Sequence, residues 1–85
     1  MYYVYALWSY KLKRRYIGFT ENLESRVIKH NSGLSTYTSR GIPWELIHKE
    51  IFETKTEALK REKFLKSGSG RKLLDQKYPE YKKLQ

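Results

Sequence analysis

The chain of 85 residues contains no cysteine, which excludes both a disulfide framework and a metal site built from thiolates. It has no apolar run that approaches the ~20 residues required by a membrane-spanning helix. No charged stretch precedes the short apolar run at the N-terminus, so the pattern of a secretory signal is missing as well. These absences predict a soluble cytoplasmic protein that has no membrane partner and works in a reducing compartment.

Acidic residues are also scarce, since 9 Asp and Glu stand against 18 Lys and Arg and leave a formal net charge of +9. A domain this basic carries the electrostatic footprint of a protein that binds a polyanion. We therefore expect nucleic acid as the partner, whereas a module that binds only other proteins fits the charge poorly. The 8 Tyr, 3 Phe and 2 Trp are expected mainly in the core, and those left exposed can stack on bases.

Three segments are rich in aromatic and β-branched residues and are predicted to be strands: Tyr2–Trp8, Tyr16–Thr20 and Trp44–Phe52. The first alternates so that one face carries Tyr3, Tyr5 and Leu7 and the other carries Tyr2, Val4, Ala6 and Trp8. Because both faces are apolar, this strand is expected at the centre of a sheet that is covered on two sides. Alternation in the third strand predicts a face that carries Trp44, Leu46, His48, Glu50 and Phe52.

The intervening segments contain helix and turn signals. Residues 9–15 form a short polar connection that predicts a hairpin loop, so the first two strands should pair antiparallel. Residues 23–32 have a helical period and precede Gly33, a residue that commonly follows a helix end. Thr54 and Glu57 form a capping box that opens a helix running to about Lys66. The remaining predictions are a loop at Gly33–Pro43, a break at Ser67–Gly70 and a short basic helix at Arg71–Tyr78 that stops at Pro79.

Three residues with reactive side chains lie on or beside the apolar stripes of the first two predicted helices. Arg26 and His30 lie one turn apart on the same face of the first helix, and Glu62 stands where the second helix calls for an apolar residue. Each has an ordinary explanation taken singly, because an Arg–His pair often lies on a solvated helix edge and a half-buried Glu usually pairs with a nearby cation. A tyrosine in a strand is likewise most often a core residue. The order of these residues along the chain is what favours a functional interpretation.

In that order the residues resemble the GIY-YIG nuclease family, in particular its small single-domain bacterial members and the N-terminal catalytic domain found in the nuclease component of excinuclease ABC. Tyr3-Val4-Tyr5 stands at the first triplet, with Tyr and Val in place of Gly and Ile, and Tyr16-Ile17-Gly18 is the second triplet in full. Arg26, His30 and Glu62 follow in sequence. The resemblance covers about residues 2–66, leaves residues 67–85 as a basic C-terminal helix and tail, and predicts one domain over residues 1–85.

The resemblance implies an α/β fold in which a small, mostly antiparallel three-stranded sheet is flanked by helices. It also implies hydrolysis of phosphodiester bonds in DNA with one divalent cation, Mg²⁺ or Mn²⁺. Glu62 would bind this metal, because hard cations prefer carboxylate oxygen, and Arg26 would hold phosphate oxygens with its planar guanidinium. Tyr5 or Tyr16 would orient or deprotonate the attacking water, and His30 could instead accept the proton or contact a second phosphate.

Substrate contacts are expected from Gly18 and from two groups of cations. Gly18 would let the backbone approach the substrate or the packed sheet closely. The cations are Lys11, Lys13, Arg14 and Arg15 in the first loop, and Lys63, Lys66, Arg71 and Lys72 on and after the helix of Glu62. Such contacts predict binding that is independent of sequence and sensitive to salt. The amides of Gly68 and Gly70 could also bend around a backbone phosphate.

The leading hypothesis is a metal-dependent DNA endonuclease that is structure-directed or weakly sequence-selective and acts in DNA repair or recombination. DNA, including branched or damaged DNA, is the expected partner of a monomer or weak dimer, and a protein partner could supply specificity. The alternative is a non-catalytic nucleic-acid-binding module that retains the fold, because the sequence shows no appended DNA-binding domain. A binder should keep its affinity in chelator, whereas a nuclease should lose turnover.

Overall fold

The computed structural model describes residues 1–82 and contains three strands and three helices. In chain order these are β1 (Tyr2–Ser9), β2 (Arg14–Thr20), α1 (Leu23–Asn31), β3 (Trp44–Phe52), α2 (Lys55–Leu65) and α3 (Gly68–Lys77), with short 3-10 helices at Ser39–Gly41 and Pro79–Tyr81. The strands form one antiparallel sheet in the order β2-β1-β3. The predicted α/β fold is therefore confirmed. The end of the predicted tail, residues 83–85, lies outside the described residues.

Strand β1 lies in the middle of the sheet, and different helices cover its two faces. One face belongs to an apolar core that consists of Val4, Ala6, Ile17, Ala58, Leu65 and Leu74 and is closed by α2 and α3. The other face packs through Tyr5 and Leu7 against Trp44 and the apolar stripe of α1. The predicted division of β1 into two covered faces is confirmed. No helix within residues 1–82 has the length and apolarity needed to cross a membrane.

Strand β3 contains a bulge that simple alternation does not show. The neighbouring residues Ala6 and Leu7 pair with His48 and Leu46, so β3 has one extra residue at this point. The bulge reverses the alternation along β3, because Trp44 packs on the α1 side whereas His48 hydrogen-bonds to the segment after α3. The prediction that Trp44 and His48 share a face is therefore wrong.

The helix boundaries follow the local signals except at α3. Asn22 caps α1, Gly33 follows it with φ +83°, and Thr54 caps α2 by accepting a hydrogen bond from the Glu57 amide at 3.3 Å. Helix α3 begins at Gly68, so the break predicted at Ser67–Gly70 is wrong.

The first turn of α3 is used for capping and packing. The Ser67 hydroxyl accepts a hydrogen bond from the Gly70 amide at 3.3 Å. A side chain at Gly70 would collide with the backbone at the end of α2, at Phe64 and Leu65. Glycine is therefore required here for the close approach of two helices, and the Gly70 amide is engaged by the cap and does not form a phosphate-binding turn.

Candidate active site

Tyr5 lies in the middle of β1, and its ring fills the space above Gly18, its register partner in β2. A Cβ atom at position 18 would collide with the Tyr5 hydroxyl and the adjacent ring carbons. Tyr5 itself is 0% exposed. The close approach expected at Gly18 is thus made within the packed sheet, where the glycine admits the tyrosine ring.

Tyr5, His30 and Thr38 form a buried chain of hydrogen bonds. The Tyr5 hydroxyl lies 3.0 Å from His30 Nε2, and His30 Nδ1 lies 3.0 Å from the Thr38 hydroxyl. Burial, together with the positive charges of Arg26 and Lys29, lowers the pKa of His30. A neutral imidazole has one acceptor and one donor nitrogen, so we assign Tyr5 as donor to Nε2 and Nδ1–H as donor to Thr38.

The guanidinium of Arg26 lies beside this chain. Burial raises the pKa of Tyr5, and the adjacent Arg26 partly offsets the rise. The Tyr5 hydroxyl, with a smaller contribution from Tyr16, raises the pKa of Arg26 in turn. Arg26 Nε is buried without a hydrogen-bond partner among the described residues. Buried donors are normally paired, and Nη1 of Arg15 is a second buried donor without a partner in the part of the chain that the structure describes.

Tyr16 closes the site on the β2 side. The centroid of its ring lies 4.8 Å from that of His30, 6.4 Å from that of Tyr5 and 6.3 Å from that of Trp44. Unlike Tyr5, which is fully buried, Tyr16 is only partly buried. Two tyrosines of adjacent strands therefore share one cluster, but only Tyr16 reaches the surface.

Glu62 lies on α2 and is partly buried. Its negative charge makes the smallest of the contributions that shift the pKa of Tyr5. The side chain is 20% exposed, and its Oε2 atom lies 3.1 Å from Lys66 Nζ. The ordinary explanation for a half-buried Glu, a cation one helical turn away, is thus also satisfied.

The donor set around Glu62 suits a hard cation with few protein ligands. Within residues 1–82 no group of three or more His, Asp or Glu side chains could hold a metal ion. A cation would therefore have the single carboxylate of Glu62 and several waters, which is an arrangement that Mg²⁺ accepts. Lys66 would have to move aside for that carboxylate to bind the cation.

The predicted basic contacts divide by their distance from this cluster. Lys66 is joined to the site through Glu62, whereas Lys11 and Lys13 lie in the β1–β2 turn. Strand β1 ends at Ser9, four residues beyond Tyr5, which is about 13 Å along a strand, and the turn follows. The remaining cations, Arg14, Lys63, Arg71 and Lys72, are exposed on β2, α2 and α3.

Arg15 has a structural role that the sequence interpretation did not predict. It lies in β2 and not in an open loop, its side chain is 8% exposed, and its Nη2 atom lies 2.6 Å from Asp75 Oδ1. The same nitrogen lies 3.4 Å from the carbonyl oxygen of Arg71. The ion pair with Asp75 ties β2 to α3, and the phosphate contact expected from Arg15 stays a prediction.

Two residues of the segment between α1 and β3 belong to the site and were not predicted. Thr38 is 1% exposed and holds His30, and the ring centroid of Tyr37 lies 6.0 Å from that of Tyr16. The segment is polar and has no period, so no sequence signal marked either residue. Asn31 anchors the segment, because its side chain bonds the backbone N–H and carbonyl of Trp44 at 2.6 and 3.0 Å.

Comparison with known proteins gave one family match and several relatives. A sequence model of the GIY-YIG catalytic domain matches residues 1–78. A UPF0213 protein of Staphylococcus saprophyticus is 45% identical over 60 residues, which are 69% of this chain and 73% of the relative. A UPF0213 protein of Natronomonas pharaonis is 42% identical over 66 residues, or 76% of each chain. No solved structure gave a significant match.

Proposed function

The chain belongs to the GIY-YIG family of nucleases, and from this premise we propose that it is an endonuclease that hydrolyses phosphodiester bonds in DNA with one divalent cation. We propose cleavage that is structure-directed or weakly sequence-selective, in DNA repair or recombination. The observation that carries the proposal is the convergence of Tyr5, Tyr16, Arg26 and His30 in one cluster, to which α2 would add the carboxylate of Glu62. Phosphoester hydrolysis needs positive charge on the phosphate and a positioned water, and these side chains can supply both.

The exposure of the side chains distinguishes the residues that would contact the substrate from the residues that would position them. Tyr5 and His30 are almost completely buried and already bonded to each other, so they are proposed as positioning residues. Tyr16 and Arg26 are only partly buried. Tyr16 would therefore orient the attacking water, and the guanidinium of Arg26 would hold a phosphate oxygen.

Glu62 is proposed as the metal ligand. Bound there, Mg²⁺ or Mn²⁺ would supply the positive charge that opposes the negative charge developing on the phosphate oxygens. The exposed cations of the hairpin turn, α2 and α3 would hold flanking phosphates without reading the base sequence.

One observation favours the second candidate, a nucleic-acid-binding module without turnover. The Glu62 carboxylate is already paired with Lys66, and a chain in which that pair persists would keep its basic surface but bind no metal. The two candidates differ in their response to chelator, which should abolish turnover in the nuclease and leave the affinity of the binder unchanged.

The deciding experiment measures cleavage of supercoiled, branched and single-stranded DNA at low salt, with Mg²⁺, with Mn²⁺ and with chelator. We expect metal-dependent cutting that falls about 100-fold or more in Glu62→Gln and in Tyr16→Phe. Glu53→Gln is the matched control for the change in charge, because Glu53 is exposed in the connection between β3 and α2. Tight, salt-sensitive binding without cutting in any metal would exclude the nuclease for these substrates.

A further inference from the structure

Tyr37 is the most exposed aromatic side chain near the proposed site. Its side chain is 84% exposed, yet its ring centroid lies 6.0 Å from that of Tyr16, with an angle of 59° between the two planes. Burial of this ring contributes little to the fold, because so little of it is removed from water. The ring therefore presents a largely free aromatic face beside the residue that we propose to orient the attacking water.

Hydrogen bonds of the residues before and after Tyr37 fix the backbone that carries it. The amides of Thr38 and Ser39 donate to the Ser35 carbonyl at 3.2 and 2.9 Å, which closes a turn around Tyr37. The carbonyl oxygen of Thr38 accepts a hydrogen bond from the Trp44 indole at 2.7 Å, and its hydroxyl holds His30. The exposed ring is thus attached to a turn that the buried cluster positions.

We propose that Tyr37 forms a stacking subsite for an unpaired nucleobase next to the scissile phosphate, so that the preferred substrate has an unpaired nucleotide at that position. This inference rests on the proposed function. An aromatic side chain stacks on the open face of a base, and in a continuous duplex both faces of each base are covered by neighbours. A bulge, flap or single strand leaves such a face free next to the backbone.

The charge around Tyr37 also suits a nucleotide. Arg40 follows on the same segment, is exposed, and forms no ion pair with any residue in the described part of the chain. It can contact the phosphate that flanks the stacked base, while Arg26 holds the scissile phosphate. Leu34 is equally exposed on the segment, at 78%, but has no aromatic face. Leu34 therefore offers a matched control for exposed apolar surface.

The test uses oligonucleotides with 2-aminopurine as a single-nucleotide bulge or in a flap, and a fully paired duplex of the same sequence. Binding is followed in chelator, so that stacking is measured separately from cleavage. We expect the wild type to quench the unpaired fluorophore and Tyr37→Ala to lose the quenching, with about 5- to 100-fold weaker binding of the unpaired substrates only. Tyr37→Phe and Leu34→Ala should behave as the wild type, and their melting curves should match it.

The outcomes separate this inference from the proposed function. Equal quenching and affinity in Tyr37→Ala and wild type would overturn the subsite even if the protein cleaves DNA. An equal loss of affinity for paired and unpaired DNA would also overturn it, because the side chain would then act on the backbone alone. Tyr37-dependent quenching without cleavage in any metal would support the subsite and count against the nuclease.

Discussion

The two faces of strand β1 bury neighbouring residues in opposite ways. Val4 and Ala6 point into a core closed by Leu65 and Leu74 that contains only apolar side chains. Tyr5, between them, points into a cluster of buried hydroxyl and imidazole groups. Apolar burial stabilises the first face without directional requirements, whereas the second must satisfy each polar group by hydrogen bonding. The two faces of one strand are thus stabilised in different ways.

A second polar network, at the β3 edge, offers a comparison with the proposed site. His48 lies 2.7 Å from both the Tyr78 hydroxyl and the Glu50 carboxylate, and Arg61 binds that carboxylate at 2.8 and 3.2 Å. Its members satisfy one another, so it ties β3 to α2 and to the end of α3. The Nε of Arg26 is buried and has no partner within the described residues, but the same is true of Nη1 of Arg15, whose Nη2 pairs with Asp75. A buried donor without a partner therefore does not by itself separate a ligand site from a structural ion pair. What distinguishes the cluster around Tyr5 is that its members follow the order of the GIY-YIG motif, which the match over residues 1–78 supports.

The largest effect on stability is expected on the apolar face, the side of β1 that carries Val4 and Ala6. Leu74 of α3 is 1% exposed, and Leu74→Ala should lower the free energy of unfolding by about 2–5 kcal/mol through lost burial and the cavity left behind. Cleavage per folded molecule should not change. Urea denaturation measures the first quantity, and cleavage assays in the folded range measure the second. Leu73→Ala, at a neighbouring position that is 37% exposed, should change stability by well under half as much. Equal effects would show that α3 is not part of the core.

The matching change on the polar face, the side of β1 that carries Tyr5, is Tyr5→Phe. It removes one oxygen from a residue that is 0% exposed. The change leaves His30 Nε2 without its partner, so stability should fall by about 1–3 kcal/mol. Cleavage should fall by about 10- to 100-fold, because the imidazole of His30, which packs against Tyr16, is no longer held by the Tyr5 hydroxyl. Denaturation and kcat/KM on one substrate measure both effects. Tyr3→Phe is the control on the same face, and a similar loss of activity there would contradict the assignment of Tyr5.

The features that sequence predicted correctly are those with a local cause. Alternation identified β1 as a central strand, and Thr54 and Gly33 marked helix ends through contacts within a few residues. The order of the motif residues identified the family, which the match over residues 1–78 confirms.

The features that were missed depend on partners far along the chain. The bulge in β3 exists only relative to β1, and Arg15 became structural only when α3 brought Asp75 to it. Thr38 entered the site because the segment after α1 folds back on His30. Periodicity carries no information about such contacts, so a polar loop gives no sign of which hydroxyl is buried.

A smaller effect is expected from Thr38→Val, which keeps the shape and removes the hydroxyl that holds His30 Nδ1. The imidazole should lose its preferred tautomer, and cleavage should fall roughly tenfold. The ¹⁵N chemical shifts of the His30 ring report the tautomer directly, which a purely structural defect would not alter. Thr38→Ser should restore both the shifts and the rate. Unchanged shifts in Thr38→Val would show that Thr38 does not set the tautomer.

The smallest effect is the pH dependence of stability that His30 contributes. Burial, with help from Arg26 and Lys29, lowers the pKa of His30 in the folded protein, so the unfolded chain binds the proton first as the pH falls. The stability that the neutral imidazole contributes is fully present above the ordinary histidine pKa of about 6.5 and is lost progressively below it. The slope is limited because the unfolded chain binds at most one more proton at this residue than the folded protein does. Urea denaturation at a series of pH values should show this decline in wild type and a flatter curve in His30→Gln. The Glu50 carboxyl is partly buried, but Arg61 and His48 hold its pKa below its usual value, so the stability that it contributes is lost in a separate, more acidic range. If His30→Gln reproduced the wild-type slope between pH 6.5 and 5, the proton would be taken up by a group other than His30.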